Sequence, residues 1–152
     1  MRAGGPVAPP EFSPGLVAFR ASSGRCADSV VEAAKNLSRG SDFVLVLKDS
    51  AEVEGRLLPA YISASMRMRE GSMHSRSLAL EIMLFVAGTM NIGNAVARAG
   101  ASGSRFIIFA SSRGVADALV SKCRLRVAGR CRLRLDPAIS SSVALTAISE
   151  GK

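Results

Sequence analysis

The feature that most constrains the fold is an uninterrupted apolar run at residues 43–47, Phe-Val-Leu-Val-Leu, bounded by Asp42 and Lys48. Its length and its two valines are typical of a strand that is buried on both faces. We therefore predict a strand at the centre of a sheet. A second run, at residues 106–110, lies between Arg105 and Ser111 and predicts another buried strand.

Helical and extended patterns alternate around these two runs. One helix is expected to start at Asp28 or Ser29 and to end at Gly40; Pro59 should kink or break the next one, and Gly71 should end it. The alternation indicates an α/β fold with a mixed central β-sheet flanked by helices. The remaining predicted elements are strands at residues 16–21 and 80–87, an edge strand or hairpin at 125–135, and helices at 52–70, 92–99, 114–123 and 138–148.

The length of 152 residues is that of one compact domain. Residues 1–14 hold four of the six prolines and predict a flexible tail, which leaves residues 15–152 as the domain. These prolines interrupt any signal-peptide run, and no later stretch reaches the ~18 uncharged apolar residues of a membrane helix. We therefore expect a cytoplasmic protein that makes no membrane contact.

Basic residues exceed acidic ones, 20 to 12, which gives a net charge of +8 and a pI near 10.4. Polyanions are the natural partners of such a chain. The uneven distribution of the positive charge along the chain favours contact with phosphates, although charge alone fits a solvated basic surface equally well. The basic residues are concentrated at Arg67, Arg69 and Arg76, and again at Arg113, Lys122, Arg124, Arg126, Arg130, Arg132 and Arg134.

Catalytic patterns are weak throughout the chain. His74 is the only histidine, and the serines around it are sequence neighbours, which does not make a triad. The three cysteines are widely spaced and form no Cys-x-x-Cys pair, so we expect buried or half-buried thiols and no metal site, with a disulfide between Cys123 and Cys131 as the open alternative. The Gly-rich segment at 100–103 follows a helix, whereas a phosphate-binding loop must open one. We expect no enzyme activity and no cofactor.

A series of short motifs does form a recognisable order. His74-Ser75-Arg76-Ser77 is followed by Glu81-Ile82, then by Asn91-Ile92, by a short helix that ends at Gly100, and by the strand at 106–109. In this order and spacing the chain resembles the kinase-binding small subunit of the KEOPS tRNA-modification complex. The resemblance covers residues 16–148 and is most specific over residues 75–109.

The resemblance implies a non-catalytic subunit. Such a subunit binds an atypical small kinase, supports its activity and helps to capture tRNA, including its 3′ CCA end, for the formation of threonylcarbamoyl-adenosine. The other subunits, a large ATP-binding transferase and a dimerising protein, would be contacted indirectly. The implied kinase contact is an apolar helical face, for which the candidates are Val143, Leu145 and Ile148.

The candidate RNA contacts are basic side chains near the ends of two predicted helices. With few aromatic residues and no tryptophan, phosphate contact should dominate over base stacking, and binding should weaken steeply with salt. These candidates are Arg67, Arg69, His74, Arg76 and Arg98, with Arg124 and Arg126 as second choices.

Four residues, Glu81, Asn91, Ile92 and Gly100, are assigned to a structural motif, and three of them have a physical interpretation. Asn91 is a predicted N-cap, and Gly100 lies at the far end of its helix. Glu81 lies in an apolar predicted strand, where an isolated charge is costly, so we expect it to pair with Arg76 or a backbone donor. Two other functions stay open: a free-standing basic RNA-binding module without a kinase, and a small hydrolase built around His74.

Overall fold

The computed structural model describes residues 15–73 and 75–135. Five helices surround a four-stranded sheet, so the predicted α/β fold with a central sheet flanked by helices is confirmed. In chain order the elements are β1 (Val17–Ser22), α1 (Ala27–Leu37), β2 (Val44–Lys48), α2 (Ala51–Glu70), α3 (Leu78–Ala87), α4 (Ile92–Ala99), β3 (Arg105–Ala110), α5 (Arg113–Cys123) and β4 (Arg126–Arg130).

The sheet has the strand order β2-β3-β1-β4, and all three strand pairs are antiparallel rather than mixed. The strands that α1 connects, β1 and β2, do run in the same direction, but β3 is inserted between them. In the same way β1 lies between β3 and β4, which α5 connects. The chain therefore forms two interlocked split β-α-β units, which is the ferredoxin-like topology. Because each unit has a strand of the other unit inserted between its two parallel strands, every neighbouring pair is antiparallel.

The three helices between β2 and β3 cover the face of the sheet that α1 and α5 leave open. Alternate residues of β3 enter the two cores: Ile107 and Phe109 face α2 and α3, whereas Phe106 and Ile108 face α1 and α5. Phe109 also meets Phe43 edge-to-face at 5.2 Å between ring centroids. Each fully buried aromatic or aliphatic side chain contributes roughly 1.5–3 kcal/mol, so both helical layers are held by apolar packing.

The strand β2 lies at an edge of the sheet, so the prediction of a central position was wrong. Four of its five residues are nevertheless buried, because helices cover both of its faces. Its outer edge is also contacted, since Leu47 forms an isolated bridge with Gly100. A continuous apolar run thus indicates that a strand is buried on both faces, but it does not indicate whether the strand is central or at an edge of the sheet.

Residues 80–87 belong to the helix α3, so the strand predicted there was wrong. Almost every side chain of this segment is apolar, and a helix enclosed by its neighbours has no polar stripe to reveal a period. The ends of the segment carry the helical signal. The Ser77 hydroxyl accepts a hydrogen bond from the Leu80 N–H at 3.2 Å, and Gly88 ends the helix at φ 77°.

Several predicted boundaries need smaller corrections. The helix α1 spans Ala27–Leu37 with Cys26 in the cap position, two or three residues before the predicted caps Asp28 and Ser29, and it ends before the predicted Gly40. The helix α2 continues through Pro59, so that residue does not break it, and Gly71 ends it as predicted at φ 71°. Residues 126–130 form a single edge strand rather than a hairpin, with Gly129 inside the strand.

The predicted tail at 1–14 and the predicted helix at 138–148 lie outside the described residues. Among residues 15–73 and 75–135, no single helix is long and apolar enough to cross a membrane. Taken together, helices α3 and α4 have the length and apolar composition that a membrane span requires, but they are bent by 67° relative to each other.

Candidate nucleic-acid interface

The segment between α2 and α3 is held in place by Glu81, a fully buried carboxylate in the first turn of α3. Its Oε1 accepts hydrogen bonds from the Ser75 backbone N–H at 3.0 Å and from the Ser75 hydroxyl at 2.8 Å. A carboxylate without water needs such donors. The predicted backbone donor is therefore confirmed. The cation that approaches Glu81 is Arg67, at 4.0 Å from Nε to Oε2, rather than the predicted Arg76.

Arg67 is a positioning residue in this arrangement. Its side chain is only 17% exposed, and its guanidinium lies 5.7 Å from the centroid of the Phe85 ring. One terminal nitrogen donates to the Ser72 carbonyl at 2.8 Å. Arg67 thus links the last turn of α2, the following loop and α3, and this candidate RNA contact directs its charge toward the protein.

The other candidate basic residues face solvent. Arg69 and Arg76 are exposed at the junction of α2 and α3. Arg98, on α4, is exposed as well and reaches the Gly88 carbonyl at the C-terminal end of α3, at 3.5 Å. Arg76 and Arg98 therefore lie near opposite ends of α3, which at 1.5 Å per residue is about 15 Å long. His74 lies outside the described residues.

The helix α4 is fixed by the two motif residues at its ends. The Asn91 Oδ1 accepts from the Asn94 N–H at 2.9 Å, so the predicted N-cap is confirmed. At the other end, a Cβ on Gly100 would lie 2.6 Å from the Val96 carbonyl oxygen, a distance that real side chains do not adopt. Gly100 is therefore required by close packing of backbone against backbone, next to its bridge with β2.

An exposed apolar pair on α4 was missed in the sequence. Ile92 and Val96 are one helical turn apart and are 46% and 52% exposed, while Ala95 and Ala99 pack inward. The small inward residues let α4 approach α3 closely and leave the larger side chains outside. The signal was present in the spacing of Ile92 and Val96, but only the structure shows which face is covered.

A second basic region follows α5. The arginines at 124, 126, 130, 132 and 134 are all exposed, and β4 itself is exposed along its whole length. Residues after β4 are anchored through Glu54 of α2, whose carboxylate accepts from the Arg132 N–H at 2.9 Å and from Arg20 at 2.7 Å. Arg20 also pairs with Asp49 at 2.9 Å. Nothing in the sequence indicated this network, because its hydrogen-bonded pairs are 29 to 78 positions apart.

The charges in this network stabilise one another. The hydrogen bond from the Arg20 guanidinium, and next that from the Arg132 N–H, hold the pKa of Glu54 below its ordinary value of 4.5. The same contacts with Glu54 and Asp49 raise the pKa of Arg20. The ion pairs are partly solvated, with 22–32% of each side chain exposed, so their main effect is to fix the geometry of the chain after β4.

A cleft of about 470 Å³ lies beside β4, with Val17, Phe19 and Val127 among its apolar walls. The groups in it that can carry charge are Arg113, Asp117, Arg130 and Cys131. Burial raises the pKa of the Cys131 thiol to about 11. The thiol is therefore protonated at neutral pH, the opposite of an activated nucleophile. Within residues 15–73 and 75–135, no group of three or more His, Cys, Asp or Glu residues is placed to hold a metal ion.

No protein-family model matches the chain, and no curated protein matches it either. Function must therefore be argued from the arrangement of the residues themselves.

Proposed function

We propose that this chain is a cytoplasmic, non-catalytic docking subunit of the KEOPS type. It binds and supports an atypical kinase, and it helps to recruit tRNA, through the 3′ CCA end, for threonylcarbamoyl-adenosine formation. The observation that carries the proposal is the role of the motif residues. Each of these residues, Glu81, Asn91 and Gly100, makes a specific contact that stabilises the layer formed by helices α2, α3 and α4, called here the α2–α4 layer. A binding scaffold requires such a fixed framework.

The α2–α4 layer combines two kinds of exposed surface. Arg69, Arg76 and Arg98 offer cations spread along α3, and guanidinium groups are suited to phosphate oxygens. Because these arginines are on a framework held by buried contacts, an RNA strand would bind them with little loss of backbone and loop freedom. This favours tRNA as the ligand of the layer.

The exposed apolar pair on α4 supports a protein partner. Ile92 and Val96 form a small apolar patch beside the basic surface, and burying them would remove apolar area from water. Val143, Leu145 and Ile148 stay candidates for the kinase contact and lie outside the described residues. We expect the kinase interface to include the α4 pair together with that predicted C-terminal face.

Co-purification of the full chain with its cognate atypical kinase at low salt tests the proposal. We expect a stable one-to-one complex, weakened by the double substitution Ile92→Ser and Val96→Ser. A matched control replaces Val127 and Leu135, two similarly exposed apolar residues elsewhere on the surface. The absence of any association with the kinase would contradict the proposal, as would equal weakening by the control pair.

The alternative, a basic RNA-binding module that acts without a kinase, uses the same cations. Six basic residues and no acidic residue lie between positions 118 and 135, and they can contact RNA phosphates whether or not a kinase is bound. Binding of tRNA that persists while the kinase fails to bind would support this alternative.

A further inference from the structure

We propose that β4 and the residues on either side of it form a second RNA-binding surface, which contacts phosphates of tRNA away from the 3′ end. The inference rests on the proposed role in tRNA recruitment. It assigns a function to the strand edge that is separate from the α2–α4 layer. The surface consists of Lys122, Arg124, Arg126, Arg130, Arg132 and Arg134, and we call it the β4 basic surface.

The charge of this surface dominates the chain. Its six basic residues occur in a stretch without any acidic residue, whereas the whole chain has a net charge of +8. All six are exposed. Clustered cations attract a polyanion and displace its condensed counterions, and this release is the main source of sequence-independent affinity for nucleic acids.

The backbone arranges the arginines in a row. Cys131 is buried and Leu133 is half-buried, whereas Arg130, Arg132 and Arg134 between and beside them are exposed. This alternation of burial is that of an extended chain, in which alternate residues would lie ~6–7 Å apart at roughly 3.3 Å per residue. This spacing is of the same order as the separation of neighbouring phosphates along a polynucleotide strand, so successive guanidinium groups can meet successive phosphates.

The row is held before any ligand binds. The Cys131 N–H donates to the Ala18 carbonyl at 2.9 Å, which extends the contact with β1 by one residue beyond the end of β4. The Arg132 N–H donates to Glu54 at 2.9 Å. Two hydrogen bonds from adjacent residues therefore fix the backbone, and the ordering cost of binding is reduced.

The β4 basic surface lies at the edge of the sheet opposite the one that the end of α4 contacts. The helix α4 touches the β2 edge through Gly100, whereas β4 is the opposite edge of the sheet. Three strand spacings of ~4.8 Å separate the two edges by ~14 Å. One RNA that reaches both surfaces must span the domain, which is why we assign the end of the tRNA to one surface and its body to the other.

An acidic peptide that adds a strand to β4 is the main competing ligand. The register of β4 shifts between its pairs with Phe19 and Ala21, so a bulge interrupts the ladder in the middle of a five-residue strand. Bulges and rows of like charge on an edge both disfavour the addition of another strand. Phosphates require no continuous backbone ladder, so the observations favour RNA.

The test compares two variants of the full chain that lose the same charge. One replaces Arg130, Arg132 and Arg134 by Gln. The control replaces Arg25, Lys35 and Arg39, which are exposed in and around α1. Fluorescence anisotropy measures the affinity of each for full-length tRNA and for the same tRNA without its CCA end, over a series of salt concentrations, after thermal melts have verified that both fold.

We expect the β4 variant to reduce the slope of log affinity against log salt by about 2–3 on both RNAs, as the loss of three phosphate contacts requires. The α1 control should leave that slope nearly unchanged. A β4 variant with the slope of the control would overturn the inference, and so would equally tight binding of polyglutamate at the same salt. Neither result depends on kinase binding, so failure here is distinguishable from failure of the proposed function.

Discussion

The contact between Glu81 and Ser75 gives the sharpest prediction about stability. Replacing Glu81 by Ala removes the acceptor for the Ser75 N–H and hydroxyl and removes the carboxylate that lies 4.0 Å from Arg67. The substitution also leaves a cavity at a fully buried position. The loop before α3 would then lose its attachment to that helix.

The expected cost follows from these contacts. Hydrogen bonds to a charged group contribute roughly 1.5–3 kcal/mol each, and Glu81 accepts two of them from Ser75. The two terms overlap because one carboxylate makes all of the contacts, so we expect about 3–5 kcal/mol for Glu81→Ala. Glu81→Gln keeps an oxygen that can accept from Ser75 and should cost about 1–2 kcal/mol.

Urea denaturation of the two variants measures these free energies. Limited trypsin digestion adds a local readout, because release of the loop should accelerate cleavage after Arg76 more than cleavage after Arg39, on the other side of the sheet. A loss below about 0.5 kcal/mol for Glu81→Ala, the range of ordinary surface substitutions, would refute the reasoning. Unchanged cleavage after Arg76 would refute the local part of it.

The remaining predictions concern the caps and the Glu54 network. Asn91→Ala should cost about 1 kcal/mol in urea denaturation through loss of the α4 cap, whereas Asn91→Ser, which keeps a capping oxygen, should cost less. Gly100→Ala should lower the melting temperature and reduce the free energy of unfolding by about 1–3 kcal/mol, because the added Cβ would collide with the Val96 backbone. The control is Gly103→Ala, whose added Cβ would lie in open space. Glu54 binds fewer protons when folded than when unfolded, since its pKa is lowered. Its contribution to stability is therefore complete above pH 4.5 and is lost as the pH falls further, and Glu54→Gln should flatten stability against pH in that acidic range.

Features set by local chemistry were predictable from the sequence. The Asn91 cap, the Gly71 terminus and the strand at residues 106–110 depend on a few adjacent residues, and the structure confirms all three. The α/β class followed from the alternation of such segments. Local signals sufficed here because the capping oxygen and the left-handed glycine act within one helical turn.

Features set by tertiary contacts were not predictable in the same way. The segment that forms α3 is apolar on all sides because neighbours surround it, so its alternating pattern was misleading. The edge position of β2 depends on where β3 is inserted, which no residue of β2 encodes. The partner of Glu81 proved to be Arg67 rather than Arg76, because the turn of α2 that carries Arg67 packs against α3.

The candidate site was predicted in part. Arg69, Arg76 and Arg98 are exposed as a binding role requires, whereas Arg67 directs its charge inward. The exposed pair on α4 and the anchor at Glu54 became visible only when distant elements were brought together. Burial therefore divides the arginines into Arg67, which stabilises the surface, and those that face solvent.

Reconstitution of the tRNA modification tests the central claim, that this chain supplies binding surfaces and no chemistry. Threonylcarbamoyl-adenosine is measured in tRNA incubated with the kinase, the transferase and the dimerising subunit, with and without this chain, and with this chain alone. We predict that product formation rises when the chain is added and that the chain alone forms none. An unchanged yield on addition, or turnover by the purified chain alone, would contradict the account.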